Sequence, residues 1–233
     1  MAYFQGNLAK EAGRLHRWHG PFWHRRYQHV VVSEEERAQV DRLRYILANG
    51  CKEGLVASPP EWPGVSSVQA LLHGTELKGE WVDRTRQRHA SVGEGVDGAS
   101  RFREREVVSL TPLPCWRGRE SNLLRKQLRE LVAAIEAETE ARHLAEGTKP
   151  QGVKHVLLQD PHDKPMRSKR SPAPLFHCAS KAAHDLLKGA YAAFNHAFRE
   201  AARRWQRGDL DTEFPAGAFP PPLPFQHLSQ FTG

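Results

Sequence analysis

Tyr45 and Asn49 are the residues whose types and spacing come closest to a reactive centre, and they lie in the stretch RLRYILANGCKEGL. A tyrosine hydroxyl can attack a phosphodiester, but it is a weak nucleophile that needs an activating group. A divalent metal ion on the phosphate supplies that activation by neutralising developing charge. Side chains at i and i+4 of a helix project from one face, so Asn49 is placed to offer its amide oxygen to a hard ion. The alternative is an amphipathic surface tyrosine.

A helix must position both side chains, and the sequence predicts one between Ser33 and Gly50. Ser33 followed by Glu36 has the pattern of a capping box, and Gly50 is suited to the position just past a helix C-terminus. Tyr45 lies roughly 200° around the helix from Leu43, so we expect it on the polar side. The apolar stripe consists of Val40, Leu43 and Leu47, together with Ile46, at spacings typical of one helix face.

Basic residues with aromatic neighbours form a second candidate feature. The stretch WHRRYQH suits single-stranded nucleic acid because cations bind phosphates and rings stack on bases, whereas the alternative is a solvated strand edge. The stretch KPMRSKR at 164–170 suits non-specific phosphate contact, and its alternative is a surface loop. The candidate DNA-binding residues in these stretches are Trp23, Arg25, Arg26, Tyr27, Lys164, Arg167, Lys169 and Arg170.

Composition narrows the choice of partners. The chain has 233 residues and a formal net charge of +7, an excess that favours polyanions, with nucleic acid ahead of an anionic membrane. No run of about eighteen apolar residues occurs, and the N-terminus lacks the apolar core of a signal peptide, so we expect no membrane association. The three cysteines form no CxxC pair, which favours a reducing cytoplasm.

Periodicity and turn residues predict further elements around this helix. The segment 153–160 is short and apolar enough for either a helix or a strand. Ser66 or Ser67 can cap a short helix that ends near Gly74. The other predictions are helices at 7–20, 120–146 and 180–209, strands at 27–32 and 107–111, and an extended proline-rich tail.

The order of short motifs across residues 20–75 resembles the REP-associated tyrosine transposases, relatives of the HUH single-strand transposases. In that family a strand with Trp-x-Arg-Arg-Tyr/Phe precedes a helix with Tyr-Ile-x-x-Asn, followed by Lys-x-Gly-Leu-Val and Glu/Asp-Trp-Pro-x-x-Ser-Ser. The matching residues are Trp23, Arg25, Arg26, Tyr27, Tyr45, Ile46, Asn49, Lys52, Gly54, Leu55, Val56, Glu61, Trp62, Pro63, Ser66 and Ser67.

The resemblance implies a role in DNA transposition and recombination as part of a bacterial mobile element. It implies that Tyr45 is the nucleophile that forms a phosphotyrosine link to single-stranded or hairpin DNA. It also implies that Asn49 helps to hold Mg²⁺ or Mn²⁺ and that Lys52 joins the DNA contacts. Family members often act as dimers, so a homodimer is implied as well.

Two departures from the family pattern change this expectation. No His-hydrophobic-His triplet occurs, and the nearest histidines, His16 and His19, are spaced i, i+3 and suit solvent exposure better than zinc binding. Gly50 follows Asn49 where the family usually has proline. A single remaining ligand should bind a metal ion poorly. We therefore expect the C-terminal portion of a longer transposase-like protein, weakly active or inactive as an enzyme.

The sequence thus predicts a mostly helical α+β chain in which a partial ferredoxin-like HUH transposase remnant precedes a helical C-terminal extension. Residues 1–75 would be the catalytic-domain remnant, 76–105 an exposed linker, and 106–233 a helical extension with a proline-rich tail. The leading function is a DNA-binding, transposase-like protein with a tyrosine nucleophile. The alternative is a non-enzymatic DNA- or protein-interaction module derived from a transposase.

Overall fold

The computed structural model describes residues 2–23, 29–89, 101–160, 162–163 and 175–222 of the chain. The protein is a mostly helical α+β chain, as the sequence predicts. It divides into two compact units, the first formed by Met1–Gln28 with Glu34–Pro172 and the second by His29–Ser33 with Ala173–Gly233. The elements are α1 (Ala2–Leu15), β1 (Val31–Val32), α2 (Glu36–Leu47), α3 (Asn49–Lys52), α4 (Val68–His73), β2 (Leu77–Val82), α5 (Arg84–His89), β3 (Arg103–Val108), α6 (Ser121–Glu146), α7 (Val153–Leu158), β4 (Phe176–His177) and α8 (Lys181–Gln206).

Four helices of the first unit surround a small core. The long helix α6 packs against α2, α3 and α4. Ile135 of α6 and Val56 of the loop after α3 are almost completely buried, because apolar side chains gain free energy when they leave water. The buried cluster consists of Leu47, Cys51, Val56, Val68 and Ile135. The core therefore lies directly under α2 and α3, the helices that carry Tyr45 and Asn49.

The start of α2 differs from the predicted capping box. The N-cap is Glu35, and no side chain hydrogen bonds to the helix end there. The Glu36 carboxylate instead accepts two hydrogen bonds from the Arg119 guanidinium at 2.8 Å and one from the Trp116 ring N–H at 3.2 Å. Charge-assisted bonds to a guanidinium are stronger than a bond to a backbone N–H, so the tertiary partner displaces the local one.

Gly50 does not end the helix, contrary to the prediction. The chain passes through Ala48 directly into α3, which contains Gly50. The residue with left-handed backbone is Gly54, at φ +69°. A Cβ on Gly50 would lie 3.0 Å from the Trp62 ring and 3.1 Å from a Val56 methyl group, so glycine serves close packing at this position.

The predicted apolar stripe of α2 is only partly buried. Leu47 belongs to the core, and Leu43 packs against it. Ile46 is 59% exposed, contrary to the prediction, because the adjoining space is an open cavity and not a packed neighbour. The buried residues of α2 include Ala38 and Gln39, whose side-chain oxygen accepts a hydrogen bond from the Cys115 N–H at 3.1 Å.

A two-stranded antiparallel sheet is formed by β2, which lies within the segment 76–105, and β3, which begins in that segment and ends at Val108. β2 pairs with β3 in a register that joins Leu77 to Val108 and Val82 to Arg103. Both strands are largely exposed along their lengths. The predicted strand at 107–111 begins four residues earlier, at Arg103, and ends at Val108.

Three further predicted helices of the first unit are confirmed, α4 and α6 with small shifts and α1 with both ends about five residues earlier than predicted. The short helix α4 follows Ser67, whose predecessor Ser66 accepts a hydrogen bond from the Val68 N–H at 3.2 Å, and it ends at the left-handed Gly74. α6 covers the segment predicted at 120–146. α1 begins at Ala2 and ends at Leu15, earlier than predicted, and the segment at 153–160 forms helix α7.

The second unit consists of α8 with a small parallel sheet. The Ser180 hydroxyl accepts a hydrogen bond from the Ala183 N–H at 3.2 Å and caps α8. β1 pairs with β4 at Val31 and Phe176, and this two-residue strand replaces the strand predicted at 27–32, of which 27–28 lie outside the described residues. In the described part of the chain, no helix combines the length and the apolar character that crossing a membrane requires.

Candidate nucleic-acid interface around Tyr45

Tyr45 lies on the exposed face of α2, as predicted. Its side chain is 46% exposed, and within the described residues its hydroxyl has no hydrogen-bond partner. A structural tyrosine would bury its ring and tie its oxygen to the main chain. Tyr45 does neither, so the side chain is accessible to a ligand.

Two cations lie over the Tyr45 ring. The Arg42 guanidinium carbon is 4.7 Å from the ring centroid, and the Lys52 ammonium nitrogen is 4.9 Å from it. Both distances fit cation–π attraction, which holds the cations beside the ring. We call the surface formed by Arg42, Tyr45, Asn49 and Lys52 the Tyr45 face.

Neither cation of the Tyr45 face is neutralised by an acidic side chain. Within the described residues, no carboxylate lies within 4.0 Å of Arg42 or Lys52. Arg44, the residue directly before Tyr45 on α2, differs in this respect because it pairs with Glu138 of α6. The Tyr45 face therefore carries two positive charges that remain available to an anionic ligand.

Asn49 begins α3 and is exposed at the edge of the Tyr45 face. Its side chain has no hydrogen bond to any described residue, so the amide oxygen is available to a ligand. The i, i+4 spacing from Tyr45 crosses the junction at Ala48, where φ is −76° and ψ is −4°. The backbone there remains in the right-handed helical region, so the phase of the helix is nearly kept.

Arg142 of α6 fixes the end of α3. Its guanidinium donates hydrogen bonds to the backbone carbonyls of Cys51 at 2.6 Å and Lys52 at 2.9 Å. Carbonyls at a helix C-terminus lack partners within the helix, and a cation there also interacts favourably with the helix dipole. Arg142 thereby holds the backbone that carries the Lys52 ammonium group.

Cys51 anchors the underside of α3 and takes no part in the exposed surface. Its side chain is 1% exposed, and burial in apolar surroundings raises the pKa of the thiol. All three cysteines are free, as their spacing predicts. A buried, protonated thiol is a packing group, so Cys51 is not a nucleophile at neutral pH.

The residues of the Tyr45 face do not fit a Mg²⁺ or Mn²⁺ site. These ions take several oxygen ligands, most often carboxylates, in a fixed geometry. Asn49 offers one neutral oxygen, whereas Arg42 and Lys52 add positive charge that opposes a cation. Over the described ranges, no group of three or more histidine, cysteine or acidic side chains is arranged to hold a metal ion.

The remaining candidate residues are only partly described. Trp23 donates its ring N–H to the Gln5 carbonyl at 3.0 Å and packs edge-to-face on Phe22, so these contacts place it against α1. Its side chain is still 44% exposed. Outside the described residues lie Arg25, Arg26, Tyr27, Lys164, Arg167, Lys169 and Arg170.

Arg42 is the member of the Tyr45 face that sequence reasoning did not select as a DNA contact. Its spacing of i−3 from Tyr45 was the available signal, because side chains three apart on a helix are neighbours. Lys52 was selected through the family resemblance, and the structure brings it to Tyr45.

Comparison with protein-family models, with curated proteins and with solved structures found no match to this chain. The resemblance to tyrosine transposases therefore depends on the motif residues of this sequence alone.

Proposed function

We propose that this chain is a DNA-binding, transposase-like protein that holds single-stranded or hairpin DNA at the Tyr45 face. One observation supports this most strongly: an exposed tyrosine ring lies beside two cations that no described carboxylate neutralises. Single-strand binding sites combine positive charge along the backbone path with aromatic side chains. The net charge of +7 adds long-range attraction for a polyanion.

In this proposal the two cations contact the phosphate of the DNA, and the Tyr45 phenol lies next to the phosphorus. A phosphate bound by Arg42 and Lys52 would lie near the Tyr45 side chain, because both cations lie over its ring. In strand cleavage the Tyr45 oxygen would form a bond to phosphorus while one P–O bond of the phosphodiester breaks. The phenol proton would end on the released sugar hydroxyl. The cations stabilise the charge that develops on the phosphate oxygens.

Cleavage by this chain alone should be slow or absent. The Tyr45 face supplies two cations, but its donor set does not fit the divalent ion that the family resemblance implies. An unactivated tyrosine hydroxyl is a weak nucleophile. DNA binding without cleavage is therefore the second candidate function. It is favoured because the Tyr45 face offers a metal ion only one neutral oxygen ligand, that of Asn49.

Salt-dependent binding tests the DNA-binding part of the proposal. A fluorescent single-stranded hairpin is titrated at several salt concentrations with the parent chain and with Arg42→Gln and Lys52→Gln. Each substitution should weaken binding about fivefold. It should also make the negative slope of log K against log salt shallower by about 0.7, since each removes one phosphate contact. Arg37→Gln is the charge-matched control, because Arg37 lies on α2 but pairs with Asp41 at 3.8 Å.

The binding proposal is wrong if Arg37→Gln weakens binding as much as the two test substitutions, because charge alone would then account for the effect. A suicide assay tests the nucleophile separately. The hairpin is incubated with Mn²⁺ and the parent chain or Tyr45→Phe, and covalent adducts are separated under denaturing conditions. A faint adduct that Tyr45→Phe abolishes would assign the tyrosine as nucleophile, whereas salt-sensitive binding without an adduct would assign the non-enzymatic function.

A further inference from the structure

A cavity of about 590 Å³ opens beside α2, away from the Tyr45 side chain. Its size lies in the range of sites that hold a small ligand or a short piece of peptide. The apolar walls are formed by Leu43 and Ile46 of α2, Leu71 of α4, and Leu124 and Leu128 of α6. The cavity belongs to the first unit and involves no residue of the Tyr45 face.

One wall of this cavity is a length of backbone without hydrogen bonds. β3 ends at Val108, which pairs with Leu77, the first residue of β2. Before Leu77 the chain comes from α4, so residues 109–111 have no strand opposite them. Within the described residues, no backbone hydrogen bond reaches positions 109–112. Thr111 precedes Pro112, which restricts it to extended backbone.

Backbone of this kind can bind an extended peptide as an added strand. A free strand edge offers alternating N–H and C=O groups, and an added peptide strand pairs with them. Every second side chain of that peptide points to the same side, so alternate apolar residues can enter a neighbouring apolar space. The cavity occupies the position in which those side chains would lie.

The charges that line the cavity favour a neutral occupant. Arg125 and Glu76 contribute one charge of each sign, and within the described part of the chain neither forms an ion pair. Gly74 makes room for the Arg125 guanidinium, since a Cβ there would lie 2.9 Å from the nearest guanidinium nitrogen. A lining without net charge does not attract a polyanion, in contrast to the Tyr45 face.

We propose that this cavity binds an extended, apolar, uncharged peptide segment of a partner protein. The segment pairs with the backbone of residues 109–111 and places alternate side chains against α2, α4 and α6. A second copy of this chain is the less suitable occupant, because two molecules with a net charge of +7 repel one another. The site extends the proposed function by adding protein recruitment to DNA binding.

A pair of matched peptides tests the backbone pairing. The probe is a blocked, fluorescent peptide of alternating leucine and serine, and its control carries N-methyl groups on every second amide. The unmodified peptide should bind the full-length chain at least about tenfold more tightly than the N-methylated one, because methylation removes the donors of the paired edge. Equal affinity of the two peptides, or binding of neither, would overturn the proposal.

A pair of matched variants tests the location. Ile46→Asp places a charge in the cavity wall at a side chain that is 59% exposed, so the fold should tolerate it. Leu144→Asp makes the same change on α6 at a side chain that is 84% exposed and does not line the cavity. Ile46→Asp should weaken peptide binding at least about tenfold, and Leu144→Asp should leave it unchanged. Equal effects of both variants, or self-association that Ile46→Asp abolishes, would overturn the assignment to a partner peptide.

Discussion

At the residue scale, the Tyr45 face depends on the helical phase across Ala48. Lys52 lies seven residues after Tyr45, which returns to the same side of a helix after nearly two turns. This shared side is missed when the helix is predicted to end at Gly50, following the preference for glycine just past a helix C-terminus. The rule fails here because glycine at position 50 is required by close packing against the Trp62 ring. That contact is made by the tertiary fold and cannot be read from the residues next to Gly50.

The packing of Gly50 leads to a stability prediction. Gly50→Ala would place a Cβ 3.0 Å from the Trp62 ring, so it should lower the free energy of unfolding by about 1–3 kcal/mol. Gly6→Ala is the control, because Gly6 lies in helix α1 of the same unit with no atom within 4 Å of the added Cβ. It should raise the free energy of unfolding by about 0.5–1 kcal/mol.

Urea denaturation followed by circular dichroism measures both changes. If Gly50→Ala stabilises the chain as Gly6→Ala does, then helix propensity outweighs packing at position 50. The contact between α3 and Trp62 would in that case not restrict the size of the side chain.

At the element scale, the sequence predicts where helices occur better than which partners hold their ends. The two 26-residue helices, α6 and α8, follow from periodicity, and Ser180 caps α8 through a local bond. Glu36 behaves differently, since its carboxylate binds Arg119, 83 residues later in the chain. A local pattern cannot identify a partner at that separation, so the predicted capping box with Ser33 was wrong.

The junction between α3 and α6 gives a prediction at this scale. Arg142→Gln should lower the free energy of unfolding by about 1–3 kcal/mol, because the Lys52 carbonyl loses its charged donor. Hairpin binding should also weaken, because Lys52 is held less firmly. Arg129→Gln is the control on α6, where the side chain is exposed. It should leave stability unchanged to within about 0.5 kcal/mol.

Chemical denaturation and hairpin titration together decide this case. A loss of stability without any change in hairpin binding would show that Arg142 is a structural residue only. An effect of Arg129→Gln as large as that of Arg142→Gln would instead assign both changes to lost positive charge.

At the scale of the whole molecule, the core is concentrated in one part of the chain. α6 buries Leu128, Val132, Ile135 and Thr139, whereas α8, with the same number of residues, buries only Ala201. Both helices show apolar periodicity in the sequence, so periodicity alone does not tell which of them forms a core. Burial depends on what packs against each helix, and α2, α3 and α4 pack against α6.

The concentration of the core predicts unequal loss of structure when it is damaged. Ile135→Ala removes a side chain that is 1% exposed and should cost about 2–5 kcal/mol, a large fraction of the ~5–15 kcal/mol that stabilises a typical domain. Ile135→Val, the matched control, should cost only about 0.5–1.5 kcal/mol. Hydrogen exchange read by mass spectrometry separates the two helices, since amides exchange when their unit opens.

In Ile135→Ala the amides of α6 should exchange much faster than in the parent chain, while those of α8 keep their parent rates. The reason is that Ile135 belongs to the core of the first unit, whereas α8 lies in the second. Ile135→Val should accelerate α6 only slightly. Equal acceleration of α6 and α8 in Ile135→Ala would mean that the chain opens as one cooperative body. Loss of a side chain in the core of the first unit would then expose amides of α8, a helix of the second unit.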